Sequence, residues 1–461
     1  MEIILGRNIR VKGATPELEQ FCEKNFVLSN PEYHKKRYMG YYVGSIPQYI
    51  DLYQCDVCDY ILPFGAWRSL FKKFNGQFTA KSEIVPMRHF DYKSNISLYP
   101  YQERIKDRIL KHKNGIAVMP CGCGKTQTAL QAVAEIGGKA LWLTHTKDLL
   151  SQSKKRAESC FGCDKKSFGT ITEGKVSIGE GITFATVQTM ARLDLEDLRD
   201  SFDVIVVDEC QRCAGSPTKV TMFYKVLNGL SARYKIGLTA TPRRADGLEK
   251  SMFALLGEII GSVSQEELED RTCHVEIKMI KTDYVPLVND QAFNYDGTIN
   301  FAGLVEDLTS NEPRFDLVIR TINRIKGPKL ILANRVAYLQ KLQEQFCGRS
   351  VCLSGMKPTV KNRKERDTAL TRLNNGELDA VFATYQLAKE GLDVPNLRYV
   401  VFATPEKDFT TVVQSVGRVA RKAEGKEYGT VIDFADTDFG LYKKYADERK
   451  NIYKKFGYNI K

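Results

Sequence analysis

A short stretch of the sequence combines glycines, a lysine and a threonine with two cysteines. It reads VMPCGCGKTQTALQAVAEIGG and covers residues 118–138. The order is close to the pattern G-x-x-x-x-G-K-[ST], in which a loop binds phosphate. Met119 stands where that pattern has its first glycine, at the exit of an apolar run, so it costs the match little. Cys121 and Cys123 would instead serve metal or redox chemistry.

The surrounding elements favour the phosphate-binding loop. The apolar run GIAVM precedes the loop, and the helical pattern KTQTALQAVAEI follows it and ends at Gly137. Gly122 and Gly124 would turn backbone N–H groups toward phosphates, and the helix N-terminus would add its positive dipole. Lys125 would supply charge, and Thr126 would offer a hydroxyl to Mg²⁺. We interpret the two cysteines as packing residues.

A second chemical signal is a pair of carboxylates at the end of an apolar run, FDVIVVDECQ. A magnesium-dependent nucleotide enzyme needs this pair. Asp208 would hold Mg²⁺ through water, and Glu209 would orient and deprotonate the attacking water. Strands often end in acidic residues, so the pair alone is weak evidence. Together with the loop it predicts nucleoside-triphosphate hydrolysis.

A third signal is QSVGRVAR, in which Arg418 and Arg421 are three residues apart. If the segment is helical, both arginines lie on one face of the helix. They could then enter a nucleotide site from a second domain and stabilise the charge of the transition state. Without the other two signals they would be surface arginines.

The elements that must position these residues are apolar, β-branched runs alternating with helix-length segments. Such runs are typical of parallel strands buried on both faces. We therefore predict an α/β fold with two parallel sheets, in residues 96–262 and 263–461. Residues 1–95 are rich in aromatics and turns and predict a small α+β domain. The ten runs are NGIAVMP, KALWLTHT, GITFATVQ, FDVIVVDE, YKIGLTAT, HVEIKMIK, PKLILAN, LDAVFATYQ, LRYVVFAT and GTVIDFAD.

The composition limits the partners. The 461 residues have a formal net charge of +12, which favours a polyanion because Lys and Arg displace counterions from phosphates. We find no signal peptide and no run long enough for a membrane span, so we expect no membrane partner and a cytoplasmic location in a bacterium or phage-infected host. The C-terminal segment LYKKYADERKNIYKKFGYNIK predicts a solvated surface helix.

Three C-x-x-C pairs occur among the twelve cysteines. A zinc site from Cys22, Cys55 and Cys58 with His34 or His89 is conceivable and stays open, although no second tight ligand pair lies nearby. The other pairs fall inside segments explained by other motifs, and we interpret them as incidental: Cys160 with Cys163, and Cys210 with Cys213.

The ordered motifs resemble those of superfamily 2 helicases over residues 96 to 436. LYPYQ, with Gln102, resembles the adenine-recognising motif, MPCGCGKT the first, DECQ the second and LTATP the third. LTHTKDLLSQS and FATVQTMAR resemble the DNA-backbone motifs, and LILANRVAYLQKL, ATYQLAKEGLDVP and QSVGRVAR resemble the fourth, fifth and sixth. The resemblance implies two tandem RecA-like domains with ATP and Mg²⁺ bound in the cleft between them.

The resemblance also assigns roles to individual residues. Catalysis is assigned to Lys125, Asp208, Glu209, Gln211, Arg418 and Arg421, with Thr126 and Asp208 on Mg²⁺. ATP binding is assigned to Gln102, Pro120, Cys121, Gly122, Cys123, Gly124, Lys125, Thr126, Gly391, Asp393, Gln414, Arg418 and Arg421. Coupling between the ATP site and nucleic acid is assigned to Thr239 and Thr241. Contacts to the nucleic-acid backbone are assigned to Thr146, Thr186, Gln188, Asn334, Arg335 and Thr384.

The N-terminal segments NIRVKGATPELEQF and NPEYHKKRYMGYYVGSIPQYIDLY resemble the leading domain of the XPB-like group, which includes phage branch-migration helicases of the UvsW type. This likeness implies a monomeric motor that remodels branched DNA such as forks, displacement loops or four-way junctions. For the N-terminal domain we expect a role in DNA recognition, with Trp67 or Tyr42 as candidates to stack on a base. These aromatics would equally serve as the core of so small a domain.

The chain departs from the resembled pattern at three positions. Gln211 replaces the usual histidine of the second motif, so coupling to nucleic acid is expected to differ, although glutamine can still hydrogen-bond across the interdomain cleft. Tyr99 and Ser415 stand where many relatives have arginine. None removes a group that hydrolysis needs. RNA helicase, transcript-release ATPase and restriction-system motor remain as alternatives, and so does a non-catalytic scaffold with a decayed ATP site.

Overall fold

The computed structural model describes residues 1–13, 15–56, 59–120, 122–214, 217–242, 249–264, 266–268, 272–287, 299–353, 360–389 and 394–461. The chain divides into two compact units. The first contains Met1–Pro120 and Gly124–Ser264, and the second contains Cys121–Cys123 and Gln265–Lys461. Each unit is described by itself below, and the domain boundaries stay a prediction.

The N-terminal segment of the first unit is a small mixed sheet with helices. Within the described residues its sheet has the order β5-β6-β2-β1-β7, in which β1 and β7 are parallel and the other pairs antiparallel. A separate antiparallel pair is formed by β3 and β4. The strands are β1 Glu2–Leu5, β2 Ile9–Lys12, β3 Val27–Ser29, β4 Tyr49–Asp51, β5 Gln54–Asp56, β6 Asp59–Leu62 and β7 Thr79–Ser82, and the helices are α1 Pro16–Phe26, α2 Pro31–Tyr38 and α3 Trp67–Lys73.

The rest of the first unit is an α/β sheet. Among the residues that the structure describes, the strand order is β11-β10-β12-β9-β13-β14-β8-β15, and every pair is parallel except β10 with β11. The strands are β8 Asn114–Val118, β9 Ala140–Thr144, β10 Phe168–Thr172, β11 Lys175–Ser177, β12 Ile182–Thr186, β13 Val204–Val207, β14 Tyr234–Thr239 and β15 Ile259–Ser262. The helices are α4 Pro100–His112, α5 Lys125–Ile136, α6 Lys147–Cys160, α7 Val187–Met190, α8 Pro217–Gly229 and α9 Glu249–Leu256.

The second unit is built on a parallel sheet. In its described part the strand order is β18-β19-β17-β20-β21-β16-β22. The strands are β16 His274–Lys281, β17 Lys329–Ala333, β18 Ser350–Cys352, β19 Ala380–Thr384, β20 Tyr399–Phe402, β21 Tyr428–Ala435 and β22 Asn459–Ile460. The helices are α10 Phe301–Ser310, α11 Glu312–Arg324, α12 Val336–Glu344, α13 Val360–Asn374, α14 Tyr385–Lys389, α15 Phe409–Val419 and α16 Gly440–Lys455.

The predicted fold class is confirmed. All ten apolar runs form strands of the two α/β sheets, and strands such as β9, β12 and β13 are buried along their whole length. Burial on both faces explains why these runs are continuously apolar rather than alternating. The short strands β10, β11, β15, β18 and β22 were not predicted, because they are shorter, more polar or at a sheet edge.

The C-terminal segment forms the predicted helix α16, but it is not the solvated surface helix that its lysines suggest. It buries one face, and Arg449 is almost wholly buried there. The Arg449 guanidinium donates to both carboxylate oxygens of Asp433 at 2.7 and 2.8 Å, and the Tyr453 hydroxyl donates to the same carboxylate at 2.8 Å. Since a buried carboxylate must be paired, these bonds fix α16 against β21.

Within the first unit the N-terminal segment packs closely against the α/β part. A side chain at Gly65 would place its Cβ only 2.4 Å from the backbone of Ala254 and Gly257. Lys235 in β14 is fully buried, and its Nζ donates to the carbonyl oxygens of Arg7 at 2.8 Å and Leu227 at 2.6 Å. Burial lowers the pKa of Lys235 from 10.5 to about 7.

We expect Lys235→Met to remove a pH-dependent share of the stability. The unfolded chain binds this proton below pH 10.5, but the folded protein binds it only below about pH 7, so the unfolded state holds more protons between these values. The free energy of unfolding of the wild type therefore rises with pH in that window, by about 1.4 kcal/mol per pH unit through this group. Urea unfolding at several pH values measures the slope. Lys175→Met, at an exposed position, should keep the wild-type slope. Equal slopes in Lys235→Met and wild type would contradict the lowered pKa of Lys235.

Candidate active site

The predicted phosphate-binding loop connects β8 to α5. Gly122 and Gly124 have φ angles of +84° and +81°, the left-handed region that suits glycine, and Gly124 is the N-cap of α5. Lys125 and Thr126 are the first residues of the helix, so the backbone N–H groups and the helix N-terminus have the orientation that an anion needs. Cys121 lies outside the described residues.

Gln102 lies beside this loop. It is buried in the first turn of α4, where its Oε1 accepts from the backbone N–H of Tyr99 at 2.9 Å. A Cβ at Gly124 would lie 2.2 Å from the Gln102 Nε2. The structure therefore brings the predicted adenine-recognising glutamine against the phosphate-binding loop, and glycine at position 124 is required both by its φ angle and by this contact.

Met119 occupies the position of the missing glycine without opening the loop. Its side chain is fully buried, and its backbone N–H donates to the carbonyl oxygen of Thr239 at 2.8 Å, which continues the pairing of β8 with β14. Cys123 is buried as well. The residue that replaces the consensus glycine is thus packed in the protein interior.

Asp208 follows β13 directly, next to β9, and its backbone N–H donates to Leu143 at 2.9 Å. Its carboxylate is buried. Burial, and then the neighbouring charge of Glu209, raise the pKa of Asp208 to about 6, and the nearby positive charge of Lys125 opposes that shift. The loop lysine and the predicted magnesium-binding carboxylate are therefore close enough to act on one another, as a site for Mg²⁺ and phosphate requires.

Ser153 is a site residue that the motifs did not predict, and its hydroxyl donates to the Asp208 Oδ2 at 3.5 Å. Ser153 is buried on α6, more than fifty residues before Asp208. Only the pairing of β9 with β13 brings the two together. The available signal was weak: a serine in LTHTKDLLSQS, on the helical turn that follows a predicted strand.

Glu209 adopts an unusual backbone conformation. Its φ angle is +51°, in the left-handed region that costs a non-glycine residue about 1 kcal/mol. Its backbone N–H donates to the Asp208 Oδ1 at 3.0 Å. The sharp turn directs the two successive carboxylates differently, so Asp208 points into the protein while the Glu209 side chain meets Gln211.

Gln211 connects the second motif to the third. Its Nε2 donates to the Glu209 Oε2, and its Oε1 accepts from the Thr239 hydroxyl at 2.6 Å. The Thr239 Oγ1 in turn accepts from the backbone N–H of Thr241 at 3.0 Å. The four residues form a largely buried chain of hydrogen bonds within the first unit, and a hydrogen bond of Gln211 across the interdomain cleft stays a prediction.

We expect Gln211→Ala to lower the nucleic-acid-stimulated rate of ATP hydrolysis by roughly ten- to a hundredfold, because a hydrogen bond to a charged group contributes roughly 1.5–3 kcal/mol. The exposed Gln77→Ala serves as control. If the two residues act through one bond, Gln211→Ala combined with Thr239→Val should lose little more than the worse single variant. Steady-state hydrolysis rates measure this, and fully additive losses would show that the chain of hydrogen bonds is not the route.

The two DNA-backbone segments of the first unit lie side by side. Thr186 ends β12 and Thr146 follows the adjacent parallel strand β9, and the Gln188 Nε2 donates to the carbonyl oxygen of His145 at 2.9 Å. The Thr146 hydroxyl caps α6 by accepting from Leu149 at 3.3 Å. The Thr186 hydroxyl is buried and hydrogen-bonded to Thr189 at 2.9 Å, so all three candidates have structural partners as well.

The second unit repeats this arrangement. Asn334 and Thr384 lie at the ends of the adjacent parallel strands β17 and β19. The Asn334 Nδ2 donates to the carbonyl oxygen of Pro405 at 3.1 Å, and the Arg335 Nη2 donates to that of Ala302 at 2.7 Å. The predicted backbone-binding residues therefore share one sheet edge in each unit, and their contacts with nucleic acid stay a prediction.

The sixth motif is only partly as predicted. Gln414 and Arg418 lie buried on α15, but the helix ends at Val419, so Arg421 lies beyond it and not on its face. Arg421 instead forms a β-bridge with Thr272, which ends the helix by pulling the chain into extended pairing. Within the described residues the buried Gln414 Oε1 has no hydrogen-bond partner, which leaves it available to a ligand. Gly391 and Asp393 lie outside the described residues.

The cysteines of the three C-x-x-C pairs differ in burial. Cys210 and Cys213 are fully buried, and burial raises the pKa of both thiols, as expected of packing residues. In the part of the chain that the structure describes, no group of three or more potential ligands could hold a metal ion. Cys22 is buried in the N-terminal core and Cys55 is exposed, while Cys58 lies outside the described residues.

None of the helices in the described ranges combines the length and apolar character that crossing a membrane demands.

Two family models match the chain. The one described as Type III restriction enzyme, res subunit, matches residues 95–244, and the one described as Helicase conserved C-terminal domain matches residues 314–423. The first range contains the phosphate-binding loop and the two carboxylates, and the second contains both arginines of QSVGRVAR. Together the matches span more than half of the chain.

Individual proteins are similar over longer ranges. A protein of Acanthamoeba polyphaga mimivirus named as an ATP-dependent RNA helicase is 26% identical over 378 residues, which are 79% of this chain and 69% of the relative. DNA 3'-5' translocase XPB2 of Sulfurisphaera tokodaii is 26% identical over 366 residues, 72% of this chain and 80% of the relative. The solved structure of the ATP-dependent Type ISP restriction-modification enzyme LlaBIII bound to DNA has a TM-score of 0.58 at 18% identity, covering 78% of this chain and 30% of that chain, and shows the fold alone.

The fold, the site and these matches define the class of protein. The chain belongs to the superfamily 2 helicases and is an ATP-dependent helicase with two RecA-like domains. Within that superfamily it is of the XPB-like type, as its sequence predicts.

Proposed function

We propose that this helicase is an ATP-driven DNA motor that remodels branched DNA, such as forks, displacement loops or four-way junctions, in replication, recombination or repair. The observation that carries the proposal is the placement of two predicted backbone-binding segments at adjacent strand ends in each unit. Two such pairs of segments suit a motor that holds a sugar-phosphate backbone in two places. The likeness to a protein named as a DNA translocase favours DNA.

The residues of the phosphate-binding loop and the two carboxylates after β13 fit hydrolysis of ATP. Backbone N–H groups at Gly122 and Gly124 and the charge of Lys125 bind the phosphates. Bound Mg²⁺, held by Thr126 and through water by Asp208, would neutralise charge on the phosphate oxygens. Glu209 accepts the proton of a water whose oxygen attacks the terminal phosphorus, and the bond to ADP breaks.

The remaining assigned residues complete this proposal. Arg418 and Arg421 stabilise the charge that develops in the transition state, and Gln414 offers a buried amide oxygen to the nucleotide. The hydrogen bonds from Glu209 through Gln211 to Thr239 support a coupling role for the third motif, because a change at the catalytic carboxylate alters the partner of Thr239 directly. We propose that this link transmits the state of the nucleotide to the backbone-binding segments.

An RNA track is the alternative with a specific observation in its favour, since the mimivirus relative is named as an RNA helicase. Contacts to phosphates carry no information about base sequence. A protein distinguishes RNA from DNA by contacts to the 2'-hydroxyl, and none of the predicted backbone-binding residues is assigned such a contact. A motor subunit of a restriction system is a second alternative, supported by the description of the first family model.

Steady-state ATP hydrolysis over a matched panel of nucleic acids tests the proposal. The panel contains single-stranded DNA, duplex DNA, forked DNA, a four-way junction and single-stranded RNA. We expect the branched DNAs to stimulate hydrolysis most strongly. Stimulation by RNA alone would refute the DNA proposal and favour an RNA helicase, whereas equal stimulation by linear and branched DNA would refute the preference for branches.

A further inference from the structure

The N-terminal segment exposes a set of large side chains that its core does not use. Helix α2 has no buried residue, its last residue Tyr38 is 93% exposed, and Tyr42 in the loop after it is 88% exposed. We call this set the tyrosine patch: Tyr38, Met39, Tyr41, Tyr42 and Tyr49, all exposed. Large apolar side chains clustered in solvent indicate a binding surface.

The core of the same segment is complete without the patch. Phe26, Tyr60 and Phe74 are buried together with the aliphatic side chains of the N-terminal sheet. Trp67 packs on Phe71 with ring centres 3.5 Å apart. Of the two stacking candidates from the sequence, Trp67 therefore belongs to the packed side, and Tyr42 is the one left in solvent.

The base of the patch is held in place. Asn30 is fully buried, its Oδ1 caps α2 by accepting from Glu32 at 3.0 Å, and its Nδ2 donates to the carbonyl oxygen of Pro47 at 2.7 Å. The backbone N–H of Asn30 donates to Gln48 at 3.0 Å, and β3 pairs with β4 directly below. Rings on an anchored loop lose less conformational entropy on binding than rings on a free chain.

The charge beside the patch is positive. The last turn of α2 carries Lys35, Lys36 and Arg37 immediately before Tyr38. Lys36 pairs with Glu32 at 2.9 Å, whereas Lys35 and Arg37 form no salt bridge within the described residues. Exposed cations next to exposed aromatic rings are complementary to a nucleic-acid strand, which offers both phosphates and flat bases.

We propose that the tyrosine patch stacks on the bases of an unpaired nucleic-acid strand, while Lys35 and Arg37 contact its phosphates. The proposal deepens the proposed function and rests on it, because an unpaired strand is what a branch or fork offers beyond duplex. Stacking requires flat faces and no base-specific hydrogen bond, so the surface takes any base sequence. Paired bases hide their faces, so duplex DNA does not occupy it.

Binding of a fluorescent forked oligonucleotide with one unpaired arm, measured by anisotropy without ATP, tests the proposal. We expect Tyr38→Ala with Tyr42→Ala to weaken binding by at least about tenfold, since each stacked base contributes roughly a tenfold factor or more. Tyr38→Phe with Tyr42→Phe keeps the rings and should bind within about twofold of the wild type. Tyr428→Ala removes an exposed tyrosine of the second unit and serves as control.

Two further readouts separate stacking from charge. An arm of abasic sites should bind the wild type and the double alanine variant equally, because it offers phosphates and no bases. Lys35→Ala with Arg37→Ala should reduce the salt dependence of binding. The double tyrosine-to-alanine variant should leave the salt dependence unchanged. Unchanged binding by the double alanine variant, or equal losses in the alanine and phenylalanine variants, would overturn the proposal.

Measuring wild-type ATP hydrolysis with the same panel of nucleic acids distinguishes failure of the patch proposal from failure of the motor proposal. If branched DNA stimulates wild-type hydrolysis but the double alanine variant binds the fork normally, the patch proposal fails and the motor proposal stands. If no DNA stimulates the wild type, the motor proposal fails, whatever the binding results are. Hydrolysis without nucleic acid should be the same in the double alanine variant and the wild type, since the patch is no part of the ATP site.

Discussion

Lys125→Ala is expected to lower ATP hydrolysis by at least about a hundredfold while leaving the fold intact. The side chain begins α5 beside a loop of backbone N–H donors, and its charge is close enough to Asp208 to affect the pKa of that carboxylate. Loss of one such donor removes stabilisation of the charge that forms on the transferred phosphate, which is typically worth a factor of 10²–10³. Release of inorganic phosphate under saturating ATP measures the effect.

The exposed Lys111→Ala, on the neighbouring helix α4, is the matched control and should hydrolyse ATP as the wild type does. Circular dichroism and thermal unfolding would show that Lys125→Ala is folded. Hydrolysis that survived in Lys125→Ala would refute the assignment of the site. A wild type that neither binds nor hydrolyses ATP would instead support the scaffold with a decayed ATP site.

Glu209→Gln should have a comparable effect on hydrolysis by a different route. The amide keeps the size of the side chain but cannot accept the proton of the attacking water, and loss of a general base costs about 10²–10⁴ in rate. ATP binding should be preserved, because Glu209 is assigned to the water and not to the phosphates. Binding of a fluorescent ATP analogue together with single-turnover hydrolysis separates the two effects.

Glu158→Gln changes an exposed carboxylate on α6 and serves as control. The strained φ angle of +51° offers a second check, because Glu209→Gly should relieve strain and leave stability equal or slightly higher while abolishing hydrolysis. A Glu209→Gln variant that lost ATP affinity as much as rate would contradict the role of general base. A Glu209→Gly variant that is stable but inactive would agree with a glutamate that is kept for catalysis although its backbone conformation is strained.

Several features of the site could be predicted from local sequence. The loop of Gly122 and Gly124 and the first turn of α5 are fixed by neighbouring residues, because glycine permits the left-handed turns and the apolar runs specify strand and helix. Asp208 and Glu209 were found for the same reason, since a buried parallel strand brings the residues after its last apolar position to the sheet edge. The ten apolar runs and their parallel pairing follow from burial on both faces.

Contacts between distant segments could not be predicted in this way. Strand order places Ser153 on Asp208 and joins Gln211 to Thr239, and nothing in the local sequence specifies which strands are neighbours. The sequence suggested one helix for both arginines, but pairing with a segment about 150 residues earlier ends that helix before Arg421. These features depend on which hydrogen-bond partners the folded chain offers.

The sequence by itself determined the class of protein, the fold and which residues are proposed to bind and hydrolyse ATP, because each depends on residue types at short and fixed spacing. Only the tertiary structure decided how those residues are linked, that α16 is half-buried through Arg449, and that Tyr42 rather than Trp67 is in solvent. Burial is a property of the assembled chain. An aromatic residue in a small domain is equally suited to the core or to the surface until the packing of all the others is complete.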